Sequence, residues 1–218
     1  MDIIVYHAAL SSGGDTLSGV VDKLNDIMES ILGATEVPCE YQGYLTGTDN
    51  FRHELSDIYK AHRPKDKPLY YKFARQYLID NWGAIVVDGQ EADDAIAIEA
   101  TKNDPETTVV ASIDKDMLQI PCWHFNFVKG DWTFVEPADG TKFFYKQILT
   151  GDAADNIKGL FRVGPVKADK LLEGLTEEKE LYEAVVKAYD GDEGRVLENA
   201  RLLWLRRYEN QMWEPPND

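Results

Sequence analysis

The chain has 218 residues, 44% of them hydrophobic, enough to bury the core of one large domain or of a domain with a small satellite, and this excludes a disordered chain. The formal net charge of −16 sets the bulk electrostatics against a phosphate-rich partner, so any such partner has to be met by a local basic patch. No apolar run approaches the length of a membrane span and no basic-then-apolar leader opens the chain, so no membrane partner and a cytoplasmic location are expected; Cys39 and Cys122, far apart and without ligand-like spacing, read as reduced.

In chain order, residues 2–8 read as a short buried strand and residues 15–31 as a helix with Leu17, Val20, Val21, Leu24, Met28 and Ile31 on one stripe, closed by Gly33. A strand over 40–46 follows, then helices over 54–62 and 68–82 separated by Pro64-Lys65-Asp66-Lys67-Pro68. Residues 84–87 give a strand, 91–101 a helix and 107–113 another strand. This alternation predicts an α/β fold: a parallel sheet covered by helices on both faces, with functional groups beyond the carboxyl ends of its strands. Short strands over 124–127 and 131–135 flank a Lys129-Gly130 turn. From Tyr145 the pattern is helical, over 145–149, 152–157, 166–173, 177–189 and 193–208, with a frayed tail from Glu214. The expected division is therefore a core over 1–144 and a helical region over 145–218.

Between Arg52 and Arg75 seven basic residues face three acidic ones, interleaved with Phe51, Tyr59, Tyr70, Tyr71 and Phe73. Two readings stand for this patch: a phosphate-binding surface, or a solvated helix face with long basic side chains laid along it.

Seven acids stand at suggestive points. Glu91, Asp93 and Asp94 open a helix just after a strand, Asp114 and Asp116 follow the next strand, and Asp152 and Asp155 are spaced as one helical turn. Brought to one sheet edge they would repel and raise one another's pKa unless cations bind among them. Carboxylates without His or Cys favour Mg²⁺ or Mn²⁺, and a pair of such ions activates water and stabilises a leaving oxygen in phosphodiester hydrolysis. Each group also has a structural reading, as helix-start acids that complement the dipole or as turn aspartates. The stretch from Gly159 to Pro165 between two helices resembles a helix-hairpin-helix, whose backbone N–H groups receive a phosphate without reading bases, with Lys158 and Lys167 adding charge; a plain helical connection is the alternative.

Glu91-Ala-Asp-Asp94, Asp114-Lys-Asp116 and Gly151-Asp-x-x-Asp-Asn-Ile157 followed by Gly-x-x-x-Val-Gly-Pro resemble the 5′-to-3′ exonuclease and flap endonuclease family, in the family's order over nearly the whole chain. Phe51-Arg52-His53-Glu54 and Tyr59-Lys60-Ala61-His62-Arg63 resemble its basic segment. The resemblance implies a PIN-like core with a helix-hairpin-helix region. It makes Glu91, Asp93, Asp94, Asp114, Asp116, Asp152 and Asp155 metal ligands and sets Lys60 and Arg63 on the reacting phosphate. Arg52, Tyr59, Lys158, Gly159, Gly164 and Lys167 would contact DNA. The implied cofactors are two Mg²⁺ or Mn²⁺ ions, the first weakly held, and K⁺ at the hairpin. The implied partner is DNA with a 5′ end or 5′ flap, or an RNA–DNA hybrid, in phage replication or DNA breakdown; a polymerase partner is not named by any residue.

Three positions depart from the family pattern. The Asp that usually ends the first strand aligns just before Met1, leaving Asp2 as a shifted substitute; a second family Asp is Gly47 here, with Asp49 nearby; and Arg162 replaces a hairpin glycine. A rival expectation follows, a DNA-junction-binding protein that keeps the fold with weakened turnover.

Overall fold

The apolar run near the amino terminus is too short to distinguish a strand from a buried helix by pattern alone. In the computed structural model, which describes residues 1–11, 16–35, 38–64 and 66–217, it is a helix, α1 (Asp2–Ala9), and the expected strand is corrected. Burial at Ile4, Val5, Ala8 and Ala9 repeats at helical spacing, and α1 packs on α2 (Leu17–Gly33) and α4 (Tyr71–Trp82). Thr16 caps α2, its Oγ1 accepting the Gly19 N–H at 3.1 Å, while Asp15, Lys65 and Asp218 lie outside the described residues. Val20, Leu24, Ile27 and Met28 of α2 join Leu45, Ala74 and Leu78 in one core.

β1 (Tyr44–Thr46) pairs in parallel with β2 (Ile85–Val87), Leu45 opposite Val86. Between them lie α3 (Arg52–Leu55) and α4. The helix expected over 54–62 ends early, because turns follow Leu55 and Lys60 takes a left-handed φ of 53° that a helix cannot contain. α5 (Ala92–Thr101) leads into β3 (Val109–Ala111), a 3₁₀ helix (Lys115–Gln119), β4 (Trp123–Asn126) and β5 (Asp131–Phe134). β3 runs parallel to β4, and β4 antiparallel to β5. The α/β class holds, but the strands of the described residues form separate short sheets rather than the single expected one.

The boundary expected at residues 144 and 145 falls inside α6 (Pro137–Thr150), which packs on α7 (Pro165–Leu171), α8 (Glu178–Ala188) and α9 (Glu193–Leu203). The helix expected over 152–157 is instead a tight antiparallel ribbon, β6 (Gly151–Asp152) with β7 (Ile157–Lys158). Gly151 is the cause: its φ is 67°, and a Cβ there would lie 2.2 Å from the Gly159 N. The tail is tied down rather than frayed, with Trp213 buried against Phe144 and Tyr182 and with Glu214 paired to Arg201.

Candidate active site

The carboxyl ends of β1 and β3, the start of α5, the 3₁₀ helix and the β6–β7 ribbon surround one cleft of about 1410 Å³. Glu91, Asp93, Asp114, Asp116, Asp152 and Asp155 all line it, with Lys60, Arg63 and Lys115. The sequence therefore picked residues that the fold brings together from four separate segments. Asp94 is not among them.

Glu91 precedes α5 in extended conformation, and Asp93 and Asp94 follow in its first turn, where the helix dipole favours anions. Successive helical positions point about 100° apart, and this separates their fates. Asp93 faces the cleft. Asp94 is fully buried, its carboxylate held by a bidentate fork from Arg52 at 2.6 and 2.9 Å and by the backbone N–H groups of Glu91 and Arg206 at 3.1 and 3.2 Å. Arg52 is spent in the same place: Nε donates to the Leu202 carbonyl at 2.8 Å and Nη2 to the Trp204 carbonyl at 2.7 Å. Asp94 is thus the partner of a cation, and Arg52, 2% exposed, has its guanidinium turned to Asp94 and to two backbone carbonyls.

Burial pushes the Asp94 and Glu91 carboxyls up, but Arg52 at the first and Lys60 with Arg52 at the second outweigh it and hold both below the usual range. Asp93 goes the other way. Burial, with the charges of Asp114 and Glu91 beside it, pushes it up to about 7. Asp116 is also raised, chiefly by burial, while Lys115 and two backbone N–H groups keep Asp152 low against its own burial.

Cations bridge the acids in pairs. Lys115 Nζ lies 2.7 Å from Asp116 and 2.6 Å from Asp152. Lys60 is paired with Glu91 and lies 3.5 Å from Asp155, which also holds Arg63. Tyr59 is buried beneath them, its hydroxyl 3.0 Å from both Glu91 and Asp155, so it braces the two acids. Lys115 and Tyr59 are roles that the sequence did not disclose; for Lys115 the only signal is its place between two aspartates.

All-carboxylate donors suit Mg²⁺ or Mn²⁺. The raised Asp93 and the inserted lysines both show a cleft that calls for positive charge. Among the described residues no group of three or more His, Cys, Asp or Glu side chains closes as a metal shell, and lysines bridge the acids in pairs. Asp2 also lines the cleft, where its carboxylate accepts from Arg75 at 2.6 Å and from the Thr46 N–H at 2.8 Å. Asp49 is exposed and does not line the cleft. At Gly47 a Cβ would lie 1.9 Å from Asp88 Oδ1 and 2.7 Å from the Val87 carbonyl oxygen, so the Asp88 carboxylate fills the space of a side chain at 47.

The hairpin is a separate surface. Lys158, Gly164 and Lys167 are exposed, and Gly159 is pressed against Gly151. Phe161 is 83% and Val166 73% exposed at its tip, and Arg162 adopts φ 59°, a left-handed conformation that favours glycine.

Residues 6–146 match the family described as 5′-3′ exonuclease, N-terminal resolvase-like domain. The DNA polymerase I of Deinococcus radiodurans is 33% identical over 150 residues, 62% of this chain and 16% of that protein. A 5′-3′ exonuclease of Mycoplasmopsis pulmonis is 28% identical over 153 residues, 62% of this chain and 50% of that protein. The aligned part thus spans only a fraction of the polymerases and half of the exonuclease. A bacteriophage T5 flap endonuclease variant, solved as a pseudo-enzyme-product complex with DNA and metal ions, superimposes with a TM-score of 0.64 at 16% identity, covering 93% of this chain and 85% of that one. A T5 5′-exonuclease with bound zinc gives a TM-score of 0.63 at 16% identity, covering 82% and 80%. These two likenesses concern the fold.

Proposed function

From the premise that the chain belongs to the 5′-3′ exonuclease family, we propose that it is a divalent-metal-dependent 5′ nuclease that hydrolyses DNA phosphodiester bonds at a 5′ end or 5′ flap. The observation that carries this reading is the meeting of six carboxylates with Lys60 and Arg63 in one cleft. Asp93, Asp114, Asp116 and Asp152, with Glu91 and Asp155, would hold Mg²⁺ or Mn²⁺. Bound there, the ions would supply an activated water and a counter-charge for the leaving oxygen.

The chain's own residues do the rest. Lys60 and Arg63 stand at the rim, with Arg63 half exposed, and bring positive charge to a phosphate as it gains negative charge in the transition state. Tyr59 and the buried Arg52–Asp94 pair keep Glu91 and Asp155 in place while the lysines exchange partners. The exposed hairpin with Lys158 and Lys167 grips duplex backbone away from the cut, by backbone N–H groups and charge that carry no base identity.

The test is cleavage of 5′-flap and recessed duplexes in Mg²⁺ or Mn²⁺. Products shortened from the 5′ end support the reading, and equal cleavage in excess chelator overturns it. The occupied lysine bridges and the commitment of Asp2 to Arg75 favour a second reading, a junction-binding protein with weakened turnover. Tight flap binding without cleavage in either metal would select it.

A further inference from the structure

Two glutamines are buried where α6 packs on the 3₁₀ helix, Gln119 at 1% and Gln147 at 4% exposure. A primary amide taken out of water costs free energy unless its oxygen and its N–H groups are met. Gln119 Nε2 donates to the Leu203 carbonyl at 2.8 Å, and its Oε1 accepts the Leu205 N–H at 3.2 Å. The same Nε2 donates to Gln147 Oε1 at 2.8 Å, and Gln147 Nε2 donates to Asp116 Oδ1 at 2.7 Å. A hydrogen-bonded relay thus runs from the backbone after α9 to a carboxylate of the cleft.

The backbone sets its direction. A side-chain amide keeps its shape when turned end for end, so only its neighbours decide which end is oxygen. At Gln119 they do: a carbonyl takes only a donor and a backbone N–H only an acceptor, which puts nitrogen at Leu203 and oxygen at Leu205. The second N–H of Gln119 then requires an oxygen from Gln147. The NH₂ of Gln147 is left for Asp116, which receives a donor that cannot turn into an acceptor.

Residues 202–206 serve two networks at once. The chain leaves α9 extended, with φ −64° and ψ 129° at Trp204, so successive backbone groups turn to opposite sides. The Leu202 and Trp204 carbonyls and the Arg206 N–H go to Arg52 and Asp94, while the Leu203 carbonyl and the Leu205 N–H go to Gln119. One side holds the start of α5, and the other reaches Asp116.

Asp116 Oδ1 is taken twice, by Gln147 and by Lys115, each at 2.7 Å. Among the described residues Oδ2 has no hydrogen-bond partner, and Asp116 lines the cleft. Lys115 is exposed and shared with Asp152, so a cation arriving in the cleft can displace it; the buried Gln147 stays.

We propose that Gln147 is a positioning residue for Asp116. Oriented through Gln119 by the backbone of Leu203 and Leu205, it holds Oδ1 and leaves Oδ2 for a divalent cation. The inference rests on the reading of Asp116 as a metal ligand.

The test is calorimetric Mn²⁺ binding, without DNA, to wild type, Gln147→Met and Ile148→Val, with thermal unfolding of each in chelator. Met keeps the volume of Gln147 and removes its N–H. Gln147→Met is expected to weaken Mn²⁺ binding about 10- to 100-fold. Ile148→Val, which loosens the same helix at a buried position without a contact to Asp116, should lower Tm and leave the affinity within about twofold of wild type. If Gln147→Met does not fold, Gln147→Asn takes its place: it keeps the amide but is one methylene too short to span Gln119 and Asp116, and the same loss is expected. A lowered Tm with wild-type affinity in the Gln147 variant would make it a structural residue and overturn the proposal. So would an equal loss of affinity in Ile148→Val. A wild type that binds no Mn²⁺ would overturn the metal reading of Asp116 and the proposal with it, whereas wild-type binding that the Gln147 variant keeps intact overturns the proposal alone.

Discussion

Arg52 and Asp94 form a buried bidentate pair that ties the start of α5 to the carbonyls of Leu202 and Trp204 at the end of α9. The pair joins the carboxylate-bearing helix to the carboxy-terminal region; Arg52 reaches the wall of the cleft and Asp94 does not. Removing one partner of such a pair leaves an uncompensated buried charge.

Asp94→Ala should therefore act on folding: a loss of about 3–5 kcal/mol is expected in denaturant unfolding without metal. Because Arg52 holds the Asp94 pKa below its unfolded value, this contribution is present above the unfolded carboxylate pKa and is lost as pH falls through the folded one. A variant as stable as wild type, defective only in metal binding, would return Asp94 to the ligands.

Asp93→Asn should do the reverse. With a folded pKa raised to about 7, Asp93 takes up a proton on folding between about pH 4 and 7, so its effect on stability worsens as pH rises across that window and is fully adverse above it. In chelator at pH 8 the Asn variant should melt higher than wild type, and the gap should close toward pH 4. An unchanged or lower melting point at pH 8 contradicts the unneutralised cluster.

With Asp93 as a proposed ligand, metal binding is expected to expel its proton near neutrality, since the ligand form is the carboxylate. Calorimetry in buffers of different ionisation enthalpy should show proton release, with affinity falling as pH drops below about 7. Absence of any buffer dependence at pH 6.5 would exclude Asp93 from the ligands.

Lys60→Ala and Arg63→Ala should each slow the single-turnover step by about 10²- to 10³-fold, more than they weaken flap binding. If affinity fell and the chemical rate did not, both residues would be anchors only.

Gly47→Asp, at a position where the resemblance leads one to expect an acid, should destabilise the fold by about 1–3 kcal/mol, because the Val87 carbonyl and Asp88 already fill that space. A gain in both stability and metal affinity would show that Asp88 moves aside freely.

How much of this was legible in the sequence depended on how local each cause is. Asp93 and Asp114 follow from a strand ending before a helix or turn, and those elements form where expected. Asp94 did not separate from Asp93 by pattern, because only the approach of Arg52, forty-two residues earlier, shows which of the two faces inward. The ribbon at 151–158 was hidden because Asp152 and Asp155 have helical spacing, while Gly151 meets Gly159 through a close backbone approach that spacing does not encode. The apolar run of α1 is too short for its pattern to separate helix from strand, and the Lys115 bridge depends on β6, which folds back from the far end of α6.

The most direct measurement is single-turnover cleavage of a 5′-flap duplex in Mg²⁺ or Mn²⁺ by wild type and by Asp114→Ala, with substrate affinity taken in Ca²⁺. The account predicts metal-dependent cleavage from the 5′ side that collapses in Asp114→Ala while affinity in Ca²⁺ stays near wild type. Cleavage by Asp114→Ala at the wild-type rate, or by wild type in excess chelator, would contradict it.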